Sequence, residues 1–181
     1  PQVQIPNLPS ASLGSARLAP DSGLIGLSPI DVAASYADVI NQGTASAYAL
    51  NFALATDRLF IQLGPEAAAL RQESFGDTVD VDWETTPSDN EVVAFATADG
   101  GALVMATLQE VEKVTPAQAG ASVNASIAVR ALTSLSQSTR GFEVISNIQV
   151  LWYVPPVGSE EGIRVLGFTY SLVGAKEVDS E

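Results

Sequence analysis

The chain contains neither cysteine nor histidine. Without cysteine, disulfides, thiolate nucleophiles, iron–sulfur clusters and thiolate metal sites are excluded within its 181 residues. Without histidine, the commonest general base and the commonest transition-metal ligand are missing, which excludes the usual catalytic triads and histidine-bound zinc hydrolase sites. Bases are scarce too: 8 Lys and Arg stand against 21 Asp and Glu, for a net charge of −13. Such a chain repels a phosphate backbone, so no nucleic-acid partner is expected. The bases Arg17, Arg58, Arg71, Lys113, Arg130, Arg140, Arg164 and Lys176 are scattered and form no basic stripe. No uncharged apolar run reaches the ~18 residues of a membrane-spanning helix, so no transmembrane segment is expected. Gly-x-Ser-x-Gly, phosphate-binding glycine loops and dinucleotide fingerprints are absent as well.

What the chain does have is 46% hydrophobic and only 16% charged residues, a balance that favours a packed core over disorder. The length fits one domain with an appended arm. Residues 1–27 carry Pro1, Pro6, Pro9 and Pro20 among Ser and Gly without a sustained period, and read as an extended arm: a flexible tether, or a segment that orders on a partner. The domain is placed at residues 28–178, with a tail over 179–181. Because the chain opens on Pro1 instead of an initiator methionine, a processed or excised segment is expected, anchored by a segment or lipid ahead of it.

Ser28-Pro29-Ile30-Asp31 signals a helix start, and the helix should end at Gly43 with Ile30, Ala33, Ala34, Ala37 and Ile40 on its apolar face. Thr44 to about Leu63 reads as a second helix, stopped by Gly64-Pro65, and Pro65 to Glu73 as a shorter third. Asp57, Arg58, Glu66 and Arg71 are assigned to solvated helix faces. From Thr78 the period becomes two: Val79, Val81 and Trp83 alternate with Asp80, Asp82 and Glu84. Glu91 to Ala98 and Ala102 to about Val114 flank Asp99-Gly100-Gly101 as a hairpin. Pro116 to Gln137 is ambiguous, with a helix in view around Ala128 to Leu135. Phe142 to Val154 reads as a strand whose apolar parity is interrupted only at Ser146, and Ile163 to Val173 closes the sheet. Helices first and strands afterwards predict an α+β fold with N-terminal helices packed on a curved antiparallel sheet.

The stretches Val154-Pro155-Pro156, Ile163-Arg164-Val165-Leu166-Gly167 and Leu172-Val173-Gly174-Ala175 resemble an uncharacterised extracytoplasmic domain of actinobacterial lipoproteins and membrane-anchored proteins. The helix-then-sheet order is similar to the cone-shaped fold of the nuclear-transport-factor-like superfamily. The resemblance implies a location in the cell envelope and carries over no catalytic residue.

Four residues are candidates for ligand contact: Trp83, Tyr153 and Tyr170, whose rings offer apolar area with a polar handle, and Arg164, which can pair with an anion. Trp152 shares the apolar parity of its strand and reads as core, whereas Tyr153 faces the other way and is expected to be accessible. Asp77, Asp80, Asp82, Glu84, Asp89 and Glu91 are rich in the oxygens that calcium prefers, but their spacing is that of one solvated strand face. Glu110 and Glu112 share a face, and Glu160-Glu161 sits in a turn; these are better read as solvated than as a glycosidase pair. Asn124-Ala125-Ser126 meets the minimal glycosylation pattern by chance. No catalytic residue, metal or cofactor is expected. The composition and the resemblance together point to a non-catalytic accessory or interaction module that meets a membrane-associated protein partner. The alternative is a carrier of a small apolar ligand or lipid in a cavity between helices and sheet.

Overall fold

The computed structural model describes residues 5–89 and 91–179. Residues 1–4 of the expected arm and residues 180–181 of the expected tail lie outside the described residues.

The first helix, α1 (Pro29–Gln42), starts where Ser28 and Pro29 predict, but Ser28 donates its hydroxyl to the Asp31 carboxylate instead of capping an amide. Its buried stripe is also rotated. Val32, Tyr36 and Val39 are buried with Ala33, Ala37 and Ile40, while Ile30 and Ala34 are exposed. Two valines and a tyrosine carry more apolar area than the alanines of the expected face, so the helix turns to bury them.

The expected second helix is broken into three 3-10 turns (Gly43–Ala45, Ala49–Asn51, Leu54–Thr56) followed by a short helix, α2 (Arg58–Leu63). The backbone around Phe52 is committed elsewhere: the Ile163 amide donates to the Asn51 carbonyl at 2.7 Å, and the Ala53 amide donates to Ile163 at 2.9 Å. Groups bound to the far end of the chain cannot also close helical turns. Asp57 then restarts the helix, accepting from the amides of Leu59 and Phe60 at 2.9 and 3.1 Å. The third helix, α3 (Pro65–Phe75), runs two residues beyond the expected Glu73.

Five strands make the main sheet: β1 (Val79–Pro87), β2 (Val93–Ala96), β3 (Ala102–Pro116), and two that follow the ambiguous region. That region folds as a small ribbon, β4 (Val123–Asn124) with β5 (Gln137–Ser138), around α4 (Ile127–Thr133). The long strands β6 (Phe142–Val154) and β7 (Arg164–Glu177) complete the sheet; β7 starts one residue after the expected Ile163 and continues past Val173. The order is β1-β3-β6-β7, antiparallel throughout, with β2 beside the first residues of β3 on the flank that β1 occupies further along. Two register shifts between β6 and β7 add the bend and twist that bulges bring. The α+β architecture is the expected one.

Helices cover one face of the sheet. A first core joins Val32, Tyr36, Val39 and Leu59 to Val104, Leu108, Val150 and Trp152; a second joins Val129 of α4 to Val81, Val114 and Phe142. Between them the register Thr85–Glu110–Ser146 crosses the same face as a buried polar seam. The free edge of β1 is closed by two amide side chains. Asn41 of α1 exchanges hydrogen bonds with the backbone of Thr85 (2.8 and 2.9 Å), and Gln72 of α3 bonds Val79 and Val81 (2.9 and 3.0 Å). The described part of the arm runs against its own domain: the Leu18 amide donates to Ala94, the Ala96 amide to Ala16, the Ala98 amide to Asn7 and the Gly26 amide to Pro155.

Candidate functional site

At one end of the sheet, Asp99-Gly100-Gly101 turns the chain from β2 into β3, as the sequence predicts. The Thr97 amide donates to the Gly101 carbonyl at 2.9 Å, and Gly100 takes a φ of 85°. A Cβ at Gly101 would stand 2.6 Å from the Val154 carbonyl and 2.8 Å from the Tyr153 ring, so glycine here lets Tyr153 close over the turn. The Tyr153 hydroxyl donates to Asp99 Oδ2 at 3.0 Å. Asp99 also accepts from the Thr97 hydroxyl and the Gly101 amide; the Thr97 bond foremost, then these others, holds its carboxyl below the ordinary carboxylate range. Burial, then Asp99, pushes the Tyr153 phenol up to about 12.

Tyr153 is therefore not accessible: it is 4% exposed, which corrects the sequence expectation. Strand parity does place it on the face away from the helices. There Asp99, the arm and Arg164 enclose it, a covering made by segments remote in the chain. Arg164 lies 5.0 Å over its ring, with Nη2 3.8 Å from Glu161 Oε2 and a buried Nε that has no hydrogen-bond partner. Together with Ser159 and residues 5–7 of the arm, these groups wall a polar pocket of about 290 Å³. Three neutral donors already bind Asp99. Beside it stands the Arg164 guanidinium, held by a long ion pair with an exposed glutamate.

Trp83 and Tyr170 are elsewhere, around the polar seam. Arg71 of α3 donates to Glu110 Oε1 at 3.1 Å, stands 3.6 Å from Glu112 Oε2, and lies 4.5 Å over the Trp83 ring. Trp83 Nε1 donates to Glu112 at 2.8 Å. Glu110 is 2% exposed, and its second oxygen has no hydrogen-bond partner. Tyr170, half-exposed on β7, has its phenol pushed up to about 12, first by burial and then by Glu110. Glu110 and Glu112 do share a face, but instead of being solvated they divide one arginine between them. The sequence reading missed Arg71 and Asp57 as interior groups. Asp57 carries a local sign, an N-cap residue before Arg58-Leu59-Phe60; Arg71 carries none, since its partners lie some forty residues away. Asp80, Asp82 and Glu84 are exposed, as a solvated strand face requires. Among the described residues no three carboxylates gather as a metal site.

A second concavity is apolar. Leu54, Ala55, Phe60, Ile61, Gly64 and Pro65 line a groove of about 500 Å³ between the end of α1 and the α2–α3 corner. Ile61 at its wall is 60% exposed, and Leu50, in the neighbouring 3-10 turn, is 97% exposed.

A family model for a domain of unknown function, DUF8094, matches residues 15–177. The chain belongs to this family. The DUF8094 match begins before the expected boundary at residue 28 and takes in Ala16, Arg17 and Leu18, the part of the arm that bonds β2. It ends with β7. No curated protein and no solved structure matches the chain. Among the described residues of this DUF8094 domain, no helix is long and apolar enough to cross a membrane.

Proposed function

We propose that this domain works by contact and not by turnover, as an extracytoplasmic accessory module of the cell envelope that docks a membrane-associated protein partner in the groove of Phe60 and Ile61. The observation that carries the reading is an apolar groove whose wall residue Ile61 is left to solvent, with Leu50, four residues before the lining Leu54 in the chain, exposed as well. An apolar groove with an exposed isoleucine on its wall is the kind of surface that marks a protein-docking site. The missing imidazole and thiol support a non-catalytic role, and the lipoprotein resemblance of the C-terminal third supports the envelope location. Packing around Trp152 favours docking over carriage of an apolar ligand between helices and sheet. Tyr36 meets the Trp152 ring at 5.4 Å and the Phe52 ring at 5.1 Å, so aromatic side chains occupy the space such a ligand would need.

The test uses a photo-crosslinking residue at Leu50 or Ile61 in native envelopes, with Val157, exposed in the turn before β7, as the control position. One protein should be captured from Leu50 and Ile61 and not from Val157. Ile61→Glu should abolish its copurification while leaving the melting temperature unchanged. Equal capture from all three positions, or copurification that survives Ile61→Glu, overturns the proposal.

A further inference from the structure

Both hydrophobic cores draw their strand residues from one face of the sheet, so no helix core covers the other among the described residues. Directly opposed residues of an antiparallel pair share a face. The registers Asp82–Lys113, Lys113–Glu143 and Glu143–Lys176 therefore set one row across the uncovered face, with charges that read minus, plus, minus, plus. Lys113 and Lys176 are the only lysines in the chain. Further along the same face, Val111 stands opposite Ile145, Gln109 opposite Asn147, Thr107 opposite Gln149, and Met105 opposite Leu151.

We propose that a second copy of this chain packs on this face, sheet to sheet, about a two-fold axis parallel to the strands. That rotation exchanges β3 with β6 of the second copy, and β1 with its β7. Lys113 then meets Glu143 of the second copy and Asp82 meets its Lys176, each contact occurring twice, as an isologous interface requires. Beyond the charged row, aliphatic meets aliphatic at Val111–Ile145 and Met105–Leu151, amide meets amide at Gln109–Asn147, and Thr107 meets Gln149, while Glu84, opposite Val111, falls over Gly174 of the second copy. A two-fold axis in the sheet plane but across the strands would instead lay the charged row on Met105 and Leu151, so the pattern selects the axis. Face-packed sheets hold their strands within about 30°, and the lysine stems are long enough to span the resulting lateral offset. For a chain of net charge −13, a row that alternates in sign is where two copies can approach without repulsion.

The experiment is sedimentation equilibrium across a concentration series on the wild-type chain, Lys113→Glu, Glu143→Lys, and an equimolar mixture of the two variants. Wild type should dimerise, and each variant alone should weaken the dimer by about tenfold or more, because each homodimer then carries two like-charged contacts. In the mixture every row contact is again between opposite charges, so the dimer should return as a heterodimer. Met105→Glu, which leaves the row intact, should also disperse the dimer, and Ile61→Glu should not. A wild-type chain that stays monomeric, a dimer indifferent to Lys113→Glu, or a mixture no more dimeric than its components overturns the proposal.

Discussion

Replacing Asp57 by alanine should be among the costliest single changes in this protein. Its carboxylate is 6% exposed and does two jobs: Oδ1 caps α2 through the amides of Leu59 and Phe60, while Oδ2 accepts the hydroxyl of the fully buried Tyr36 at 2.6 Å. Loss of an N-cap costs about 1 kcal/mol. A buried tyrosine hydroxyl left without an acceptor costs about 2 kcal/mol more. The sum, about 3 kcal/mol, corresponds to a fall of roughly 6–12 °C in melting temperature for a domain of this size. Asp57→Asn keeps an oxygen for the cap and should cost about 1 kcal/mol. Tyr36→Phe should cost about 1–3 kcal/mol by leaving Oδ2 unsatisfied, and the double variant Tyr36→Phe with Asp57→Ala should cost less than the two single changes added together.

The pH dependence adds an independent check. Burial foremost raises the Asp57 carboxyl above its ordinary 3.8, against the lowering effect of its hydrogen bonds. The folded state then holds this proton more tightly than the unfolded one. The stabilising effect of protonation is full below 3.8 and is lost as pH rises through the raised value, so the ionised group burdens the fold at neutral pH. Burial, then Asp57, likewise raises the Tyr36 phenol above 10.0, so its contribution is full below that pH and is lost as the solution becomes more alkaline. Urea titrations of wild type, Asp57→Asn and Tyr36→Phe from acid to alkaline pH measure all of this. A loss under about 1 kcal/mol for Asp57→Ala, with no coupling to Tyr36, would refute the reasoning.

Removing Arg71 should hurt more than removing its partner. Arg71→Ala strands the Glu110 carboxylate in the interior and should cost about 3 kcal/mol in urea unfolding, whereas Glu110→Ala leaves an arginine that is partly solvated and still beside Glu112. Gly141→Ala should be close to intolerable, because its φ of 96° disfavours any side chain and a Cβ would stand 2.0 Å from the Val114 carbonyl; soluble yield and melting temperature read the outcome. Trp152 is fully buried while Trp83 is partly open under Arg71, so acrylamide should quench one population of tryptophan fluorescence, and Trp83→Phe should remove it.

Periodicity made much of the architecture legible. The period-two run of Phe142 to Val154 became β6 with the same bounds, and the glycines after Asp99 made the expected hairpin. Where the reading failed, distant backbone or side-chain partners intervened. Phe52 breaks a stretch of good helix formers because its neighbours bond Ile163, more than a hundred residues on. Tyr153 is buried by a turn, an arm and an arginine that strand parity alone does not bring to it.

By itself the sequence determined which chemistry is closed to this chain, since no fold can supply a missing thiol or imidazole, and it determined most of the succession of helices and strands, because those periods are written in near neighbours. Tertiary structure alone decided which side chains meet: Asp57 with Tyr36, Arg71 with Glu110 and Glu112, Arg164 with Tyr153, and the alternating row from Asp82 to Lys176. The reason is register. Which residue stands opposite which depends on how strands and helices tens of residues apart slide into place, and burial of the whole core sets that alignment, not any local pattern.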